Sequence, residues 1–425
     1  MTTRQAAATL IASIVAGGAF LAHVPVTEAQ TGIVASTKLT VPGELREFDR
    51  FGSSVAISRN IAVVGAPLDD NQAGIDAGAA YVFQRSGTAW ALQTKLVGSN
   101  THAGDQFGSS VDTWGFSSAG RRVIVGAPFN DNSAGADAGA AYVFERSGAT
   151  GWEERNRLNI GHLRGENDRF GSSVGVSRFD AVVGVPIDDT PGLGGLSGSG
   201  SAAEFERINA DWGFRGLLTA GSQSGNFELF GTSVATAQKT TVVGAPRDGN
   251  GEAYVFVADQ TVSPWQLQAR LPLSTPSRDF GASVAVDGNS AIVGAPAEST
   301  FFGTGVVHIF VRSGTAWSEQ RFLFSPTDIH SFGSSVAISG DIALVGTPNA
   351  QAGPDPGFAW LYVRSGTTWA TPISIGANDG VPTDRFGSSV DVSVDTAVIG
   401  APDDNTVTGV DTGTDTGSAY VVSVP

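Results

Sequence analysis

One motif recurs seven times and decides what this chain can become. Phe-Gly stands at Phe51, Phe107, Phe170, Phe230, Phe280, Phe332 and Phe386, at steps of 56, 63, 60, 50, 52 and 54 residues. After each comes a short apolar run ending in a corner of Gly-Ala-Pro type. The corners are Gly65-Ala66-Pro67, Gly126-Ala127-Pro128, Gly184-Val185-Pro186, Gly244-Ala245-Pro246, Gly294-Ala295-Pro296, Gly346-Thr347-Pro348 and Gly400-Ala401-Pro402. A unit of this size holding four strand-like runs cannot bury its apolar faces alone and must stack on copies of itself. The expected fold is all-β: a seven-bladed β-propeller of four-stranded antiparallel blades.

The first unit shows how a blade is written. Ser53 to Ile57 alternates small, apolar and polar residues, and Ile61 to Val64 is continuously apolar. Ala79 to Phe83 makes a third run and Trp90 to Leu96 a fourth, the two joined by a hairpin turn at Arg85-Ser86-Gly87-Thr88. Arg-Ser-Gly returns at Arg146, Arg312 and Arg364. A tryptophan opens the fourth run in six units (Trp90, Trp152, Trp212, Trp265, Trp317, Trp369), a position that suits packing on the neighbouring blade.

The seventh unit, from Phe386, lacks a fourth run. Ala35-Ser36-Thr37-Lys38-Leu39-Thr40-Val41, ahead of the first Phe-Gly, matches Leu92-Gln93-Thr94-Lys95-Leu96 of the first unit. The N-terminal strand is therefore expected to complete the last blade, closing the ring and removing exposed sheet edges. That closure has to serve without disulfides, because the chain has no cysteine.

Ahead of the repeats, Arg4 precedes an Ala-rich apolar run from Ala6 to Ala22, with small residues at Thr27 and Ala29. This reads as a signal peptide over residues 1–29, leaving a propeller over 30–425 with blades starting near 51, 107, 170, 230, 280, 332 and 386. The run is shorter than the ~20 apolar residues a membrane span needs, and no later stretch could span. The expected product is a secreted monomer, extracellular or at the cell surface, with the periplasm as the other destination. A net charge of −16 with only three lysines (Lys38, Lys95, Lys239) disfavours nucleic acid and anionic membranes as partners.

Phe-Gly followed by Gly-Ala-Pro, seven times over, resembles the FG-GAP repeat of integrin α-type propellers, across about residues 33–425. The resemblance implies an extracellular adhesion or ligand-binding module, and many members bind Ca²⁺. Their Ca²⁺ loops carry an Asp-x-Asp-x-Asp-Gly-like pattern between the first and second strands. Here that connection is Ser58-Arg59-Asn60, Asp287-Gly288-Asn289 or Ser339-Gly340-Asp341, too short and too poor in carboxylates for a cage of about 6–8 oxygens.

Acids gather elsewhere. Asp49, Asp105, Asp168, Glu228 and Asp384 stand two residues before Phe-Gly. After the Gly-Ala-Pro corner come Asp69-Asp70-Asn71 with Asp76, Asn130-Asp131-Asn132 with Asp137, and Asp403-Asp404-Asn405 with Asp411. Strand direction places both sets on one face of the disc, as a ligand face around the channel mouth. Two readings stand side by side for the second set: the side chains cap turns by bonding local N–H groups, or they hold Ca²⁺ as its cofactor loops.

No catalytic residues are assigned. Gly171-Ser172-Ser173-Val174-Gly175 fits G-x-S-x-G, but it is the repeat's own Phe-Gly-Ser-Ser-Val with one more glycine, and no helical period follows it. The stretches that depart from the repeat are Pro191 to Ser201 and Val111 to Arg122. The expected function is a non-enzymatic module that uses its acidic loop face to bind an extracellular protein or glycan. A carbohydrate-binding lectin and a polysaccharide-active lyase or hydrolase are the alternatives.

Overall fold

The computed structural model describes residues 32–425 except 36, 42, 116–119, 149–150, 162–164, 190–197, 210, 222–226, 260–261, 274–276, 298–304, 326–330, 349–354, 408–409 and 412–415. The leader, most of the Pro191 to Ser201 insertion, His162 and His330 lie outside the described residues.

In blade one, Ser54–Ser58, Ile61–Ala66, Ala79–Ser86 and Ala89–Leu96 hydrogen-bond in chain order as an antiparallel meander. Blades two to five repeat this order. In blade six the outer strand is split into Thr368–Trp369 and Ile373–Ala377. The break falls at Pro372, which has no N–H to give a ladder. The seven inner strands lie side by side around the axis, Ser389–Ser393 against Ser54–Ser58 closing the circle.

The closing strand forms as the repeat predicts. Thr37–Leu39 pairs antiparallel with Ser418–Ser423, Lys38 opposite Tyr420, and becomes the outer strand of blade seven. One feature went beyond the single expected strand. Ile33–Ala35 first runs parallel to Ile373–Ala377, so the N-terminal segment fastens blades six and seven together.

The motif itself builds the seams. The Ser54 hydroxyl donates to the Gly108 carbonyl of the next blade at 2.8 Å. The same bond recurs from Ser110, Ser173, Ser233, Ser283 and Ser335, and Ser389 to Gly52 completes the set at 2.8 Å. A Cβ on Gly65 would stand 2.0 Å from the Gly108 carbonyl oxygen, so only glycine lets the next blade come this close. All seven Phe-Gly phenylalanines are fully buried, and Phe51 meets Tyr81 edge-on at 5.5 Å. The core is accordingly divided into seven apolar clusters, one at each seam.

The outer rim is stitched as well. The indole N–H groups of Trp317 and Trp369 donate to Gln268 and Gln320 of the preceding blades, at 2.9 and 3.1 Å, which is the neighbour packing the sequence suggested. The Arg-Ser-Gly arginines do more than precede a turn. Arg85, Arg312 and Arg364 reach Thr396, Thr240 and Ser290 of the preceding blade while lying over Trp90, Trp317 and Trp369.

Candidate functional site

At the loop mouth the post-corner carboxylates are brought together with partners of their own. Asp69 is fully buried and accepts from the Tyr81 hydroxyl at 2.5 Å, the Lys95 ammonium at 2.8 Å and the Asn71 amide at 3.1 Å. Lys95 also lies over the Tyr81 ring, 5.3 Å from its centre. Blade seven repeats the device with residues from opposite chain ends: Asp404 accepts from Tyr420 at 2.7 Å and from Lys38 at 2.9 Å. Blade two uses an amide and a guanidinium instead, Arg157 donating to Asn130 at 3.0 Å.

The remaining candidates hold the loops. Asp70 and Asp131 accept the backbone N–H of Asp76 and Asp137, both at 2.9 Å. Asp76 and Asp137 themselves sit in left-handed backbone. The Asn71 and Asn132 side chains each accept from the residue two further on and donate across the loop, to Gly78 and Gly139. Asp403 accepts from Arg385 at 3.3 Å, and Asn405 is half-buried. Asp411 belongs to the short strand Val410–Asp411, its side chain lying outside the described residues. Lysine ammoniums already neutralise Asp69 and Asp404, and Asp70 and Asp131 face backbone N–H groups, so these four carboxylates fit a Ca²⁺ cage poorly.

The five ligand-face acids are at the same mouth but buried. Asp49, Asp105, Asp168 and Asp384 each accept the N–H three residues earlier, from Arg46, His102, Gly165 and Val381. Burial pushes Asp49 and Asp168 up to about 6 and Asp384 up to about 7. They shape the turn that presents Phe-Gly.

Two further carboxylates escaped the sequence reading. Asp112 and Asp391 occupy the third position of their inner strands, where the other blades carry Ala56, Gly175, Ala235, Ala285 and Ala337. Each accepts a backbone N–H from the next inner strand, Val176 and Ile57, at 2.6 Å. Burial pushes both up to about 7, and Asp391 adds to the rise at Asp112.

The opposite mouth is formed by the turns between first and second strands, and there a hollow of about 380 Å³ opens between blades two and five. Its walls include Trp114, Arg178, Phe179, Asp180, Lys239 and Asp287. A buried network stands behind it. Glu145 accepts from Arg122 at 2.9 Å and from Arg207 at 2.8 Å. Against the upward push of burial, these two guanidiniums hold its carboxyl below the ordinary value. Arg122 lies over Trp114 at 5.2 Å and donates to the Arg178 carbonyl at 3.0 Å, fixing two walls of the hollow.

The sequence profile of the FG-GAP repeat family matches residues 37–83, 90–144, 212–256 and 369–422. Together with the seven blades, this decides the matter. The chain is an FG-GAP β-propeller. No curated protein matches it. The first and last matched segments of this FG-GAP propeller contain the two strands that meet in blade seven. The FG-GAP propeller fold is compatible with a binding module. Among the described residues no helix is long and apolar enough to cross a membrane.

Proposed function

We propose that this FG-GAP propeller is an exported, non-enzymatic binding module for an extracellular glycan or protein. The Ala-rich run from Ala6 to Ala22 supports export. The observation that carries the binding reading is repetition. At the loop mouth a tyrosine hydroxyl bonds an acid in blades one, four and seven, and an acid accepts a loop N–H in blades one and two, the pattern of groups that hold loops in shape for contact. A reacting centre needs a constellation that occurs once.

In this reading the loop carboxylates are neutralised from within the protein rather than by Ca²⁺. The melting temperature should differ by less than about 1 °C between saturating Ca²⁺ and a chelator, since a ligand stabilises only what it binds; a clear rise with Ca²⁺ would return the metal to the loops. The function is tested by a glycan array and a panel of extracellular proteins, run beside a polysaccharide turnover assay. Specific retention without turnover is the expected result, and turnover would replace the module with an enzyme.

A further inference from the structure

The hollow at the turn mouth differs from the loop mouth in having cations that are not already spent. Of the three lysines, Lys38 and Lys95 are held by Asp404 and Asp69. Lys239 lines the hollow and makes no ion pair among the described residues, acting on Asp180 only through space. Arg178 stacks over Phe179 at 4.9 Å and has no carboxylate partner among the described residues. The two acids of the hollow are committed. Asp180 is buried and exchanges hydrogen bonds with Ser177, and Asp287 accepts the Gly340 N–H at 2.7 Å.

The backbone supports a special role for this corner. Gln238 and Lys239 form the two-residue turn of blade four, and both adopt left-handed backbone, with φ of 46° and 67°. Such a turn favours Asn-Gly, and side-chain-bearing residues held there carry strain of the kind found at binding sites. Blades five and six put Gly288 and Gly340 at the first of these positions and have no left-handed residue at the second. Only blade four holds both residues of the turn this way among blades one, four, five, six and seven, and it does so facing the hollow.

The occupant follows from the walls. Two aromatic side chains, Trp114 and the half-exposed Phe179, offer apolar faces. Gln238 adds an amide group that a plain aromatic acid would leave unmatched, while the Ser177 and Thr236 hydroxyls are already bonded to Asp180 and Thr241. The two cations make no ion pair among the described residues, whereas both carboxylates already accept hydrogen bonds within the protein. The volume lies within the ~300–1,000 Å³ of small-molecule sites. We infer that this hollow binds a sugar acid, a hydroxyl-rich ring bearing a carboxylate, with Lys239 and Arg178 facing the carboxylate and Phe179 and Trp114 under the ring. The inference rests on the protein being a binding module and gives that module its ligand class.

Calorimetric titration of the full chain with galacturonate, trigalacturonate, galactose and benzoate tests it. Galacturonate should bind at least roughly tenfold tighter than galactose or benzoate. Lys239→Gln should erase the preference over galactose, and Phe179→Ala should weaken both sugars together, each variant melting within about 1 °C of the parent. Tighter binding of trigalacturonate than of the monomer makes a polysaccharide the source; equal binding makes it the free sugar acid. Equal affinity for galactose and galacturonate, a preference for benzoate, or indifference to Lys239→Gln would overturn the site. New reducing ends from a uronate polymer would end the non-enzymatic reading and leave the site standing. Glycan retention that ignores Lys239→Gln would do the reverse.

Discussion

The two mouths of the channel use charge in opposite ways. At the loop mouth the buried carboxylates have jobs inside the fold: Asp69 joins Tyr81 to Lys95, Asp404 joins Tyr420 to Lys38, and Asp49 and Asp384 cap their turns. At the turn mouth the acids are likewise engaged, but Lys239 and Arg178 face an open hollow and make no ion pair among the described residues. Abundance of charge is therefore a poor guide to a binding surface. Charge left over after the fold has taken its share is a better one.

The largest effect that could break this contrast comes from Asp69→Ala. It strands a buried tyrosine hydroxyl and a part-buried ammonium, and should cost about 2–4 kcal/mol in urea unfolding while leaving glycan binding intact. Unchanged stability with lost binding would mean that the loop mouth is the contact surface after all.

Next in size is a pH effect from the carboxyls between the mouths. Asp112 and Asp391, raised to about 7, are favoured by the fold in their protonated form. Their contribution is fully present below the ordinary carboxylate value near ~4 and is lost as pH climbs toward 7. Asp49, Asp168 and Asp384 act in the same direction. Thermal melts from pH 4 to 8 should fall more steeply for the parent than for Asp112→Asn with Asp391→Asn. Parallel slopes would remove these two groups from the account.

The smallest effect is the sharpest for the turn mouth. Gln238→Asn with Lys239→Gly gives blade four the residues its turn favours, and should stabilise by about 0.5–1 kcal/mol while abolishing the preference for galacturonate. A variant that gained stability and kept that preference would show the lysine to be decoration.

Much of the architecture was readable because the repeat states it seven times. The blade count, the order of strands, the closing strand near Lys38 and the packing of Trp317 and Trp369 on the preceding blade all follow from spacing. The chemistry was harder to read for the same reason. Asp69 and Lys95 are a strand apart in sequence and look like ordinary loop and strand residues until Tyr81 is placed between them. Asp112 and Asp391 hide at positions where the other blades put alanine or glycine. The hollow draws its walls from four consecutive blades, two to five, which only the stacking of blade on blade brings to one place. Its cues were departures from the pattern, such as Trp114 where blades one, six and seven carry serine, inside the off-pattern Val111 to Arg122 stretch.

The clasp of Ile33–Ala35 and Thr37–Leu39 also fixes when the molecule can finish folding. Its partner Ser418–Ser423 is the last strand of the propeller to be synthesised, while the clasp itself is the propeller's first. Six blades can assemble from near neighbours in the chain, but the seventh waits for a contact spanning almost the full length, the slowest kind to find. Until that strand has been made, the wheel stays an open arc, and the seventh sector is where a misfolded copy would first betray itself.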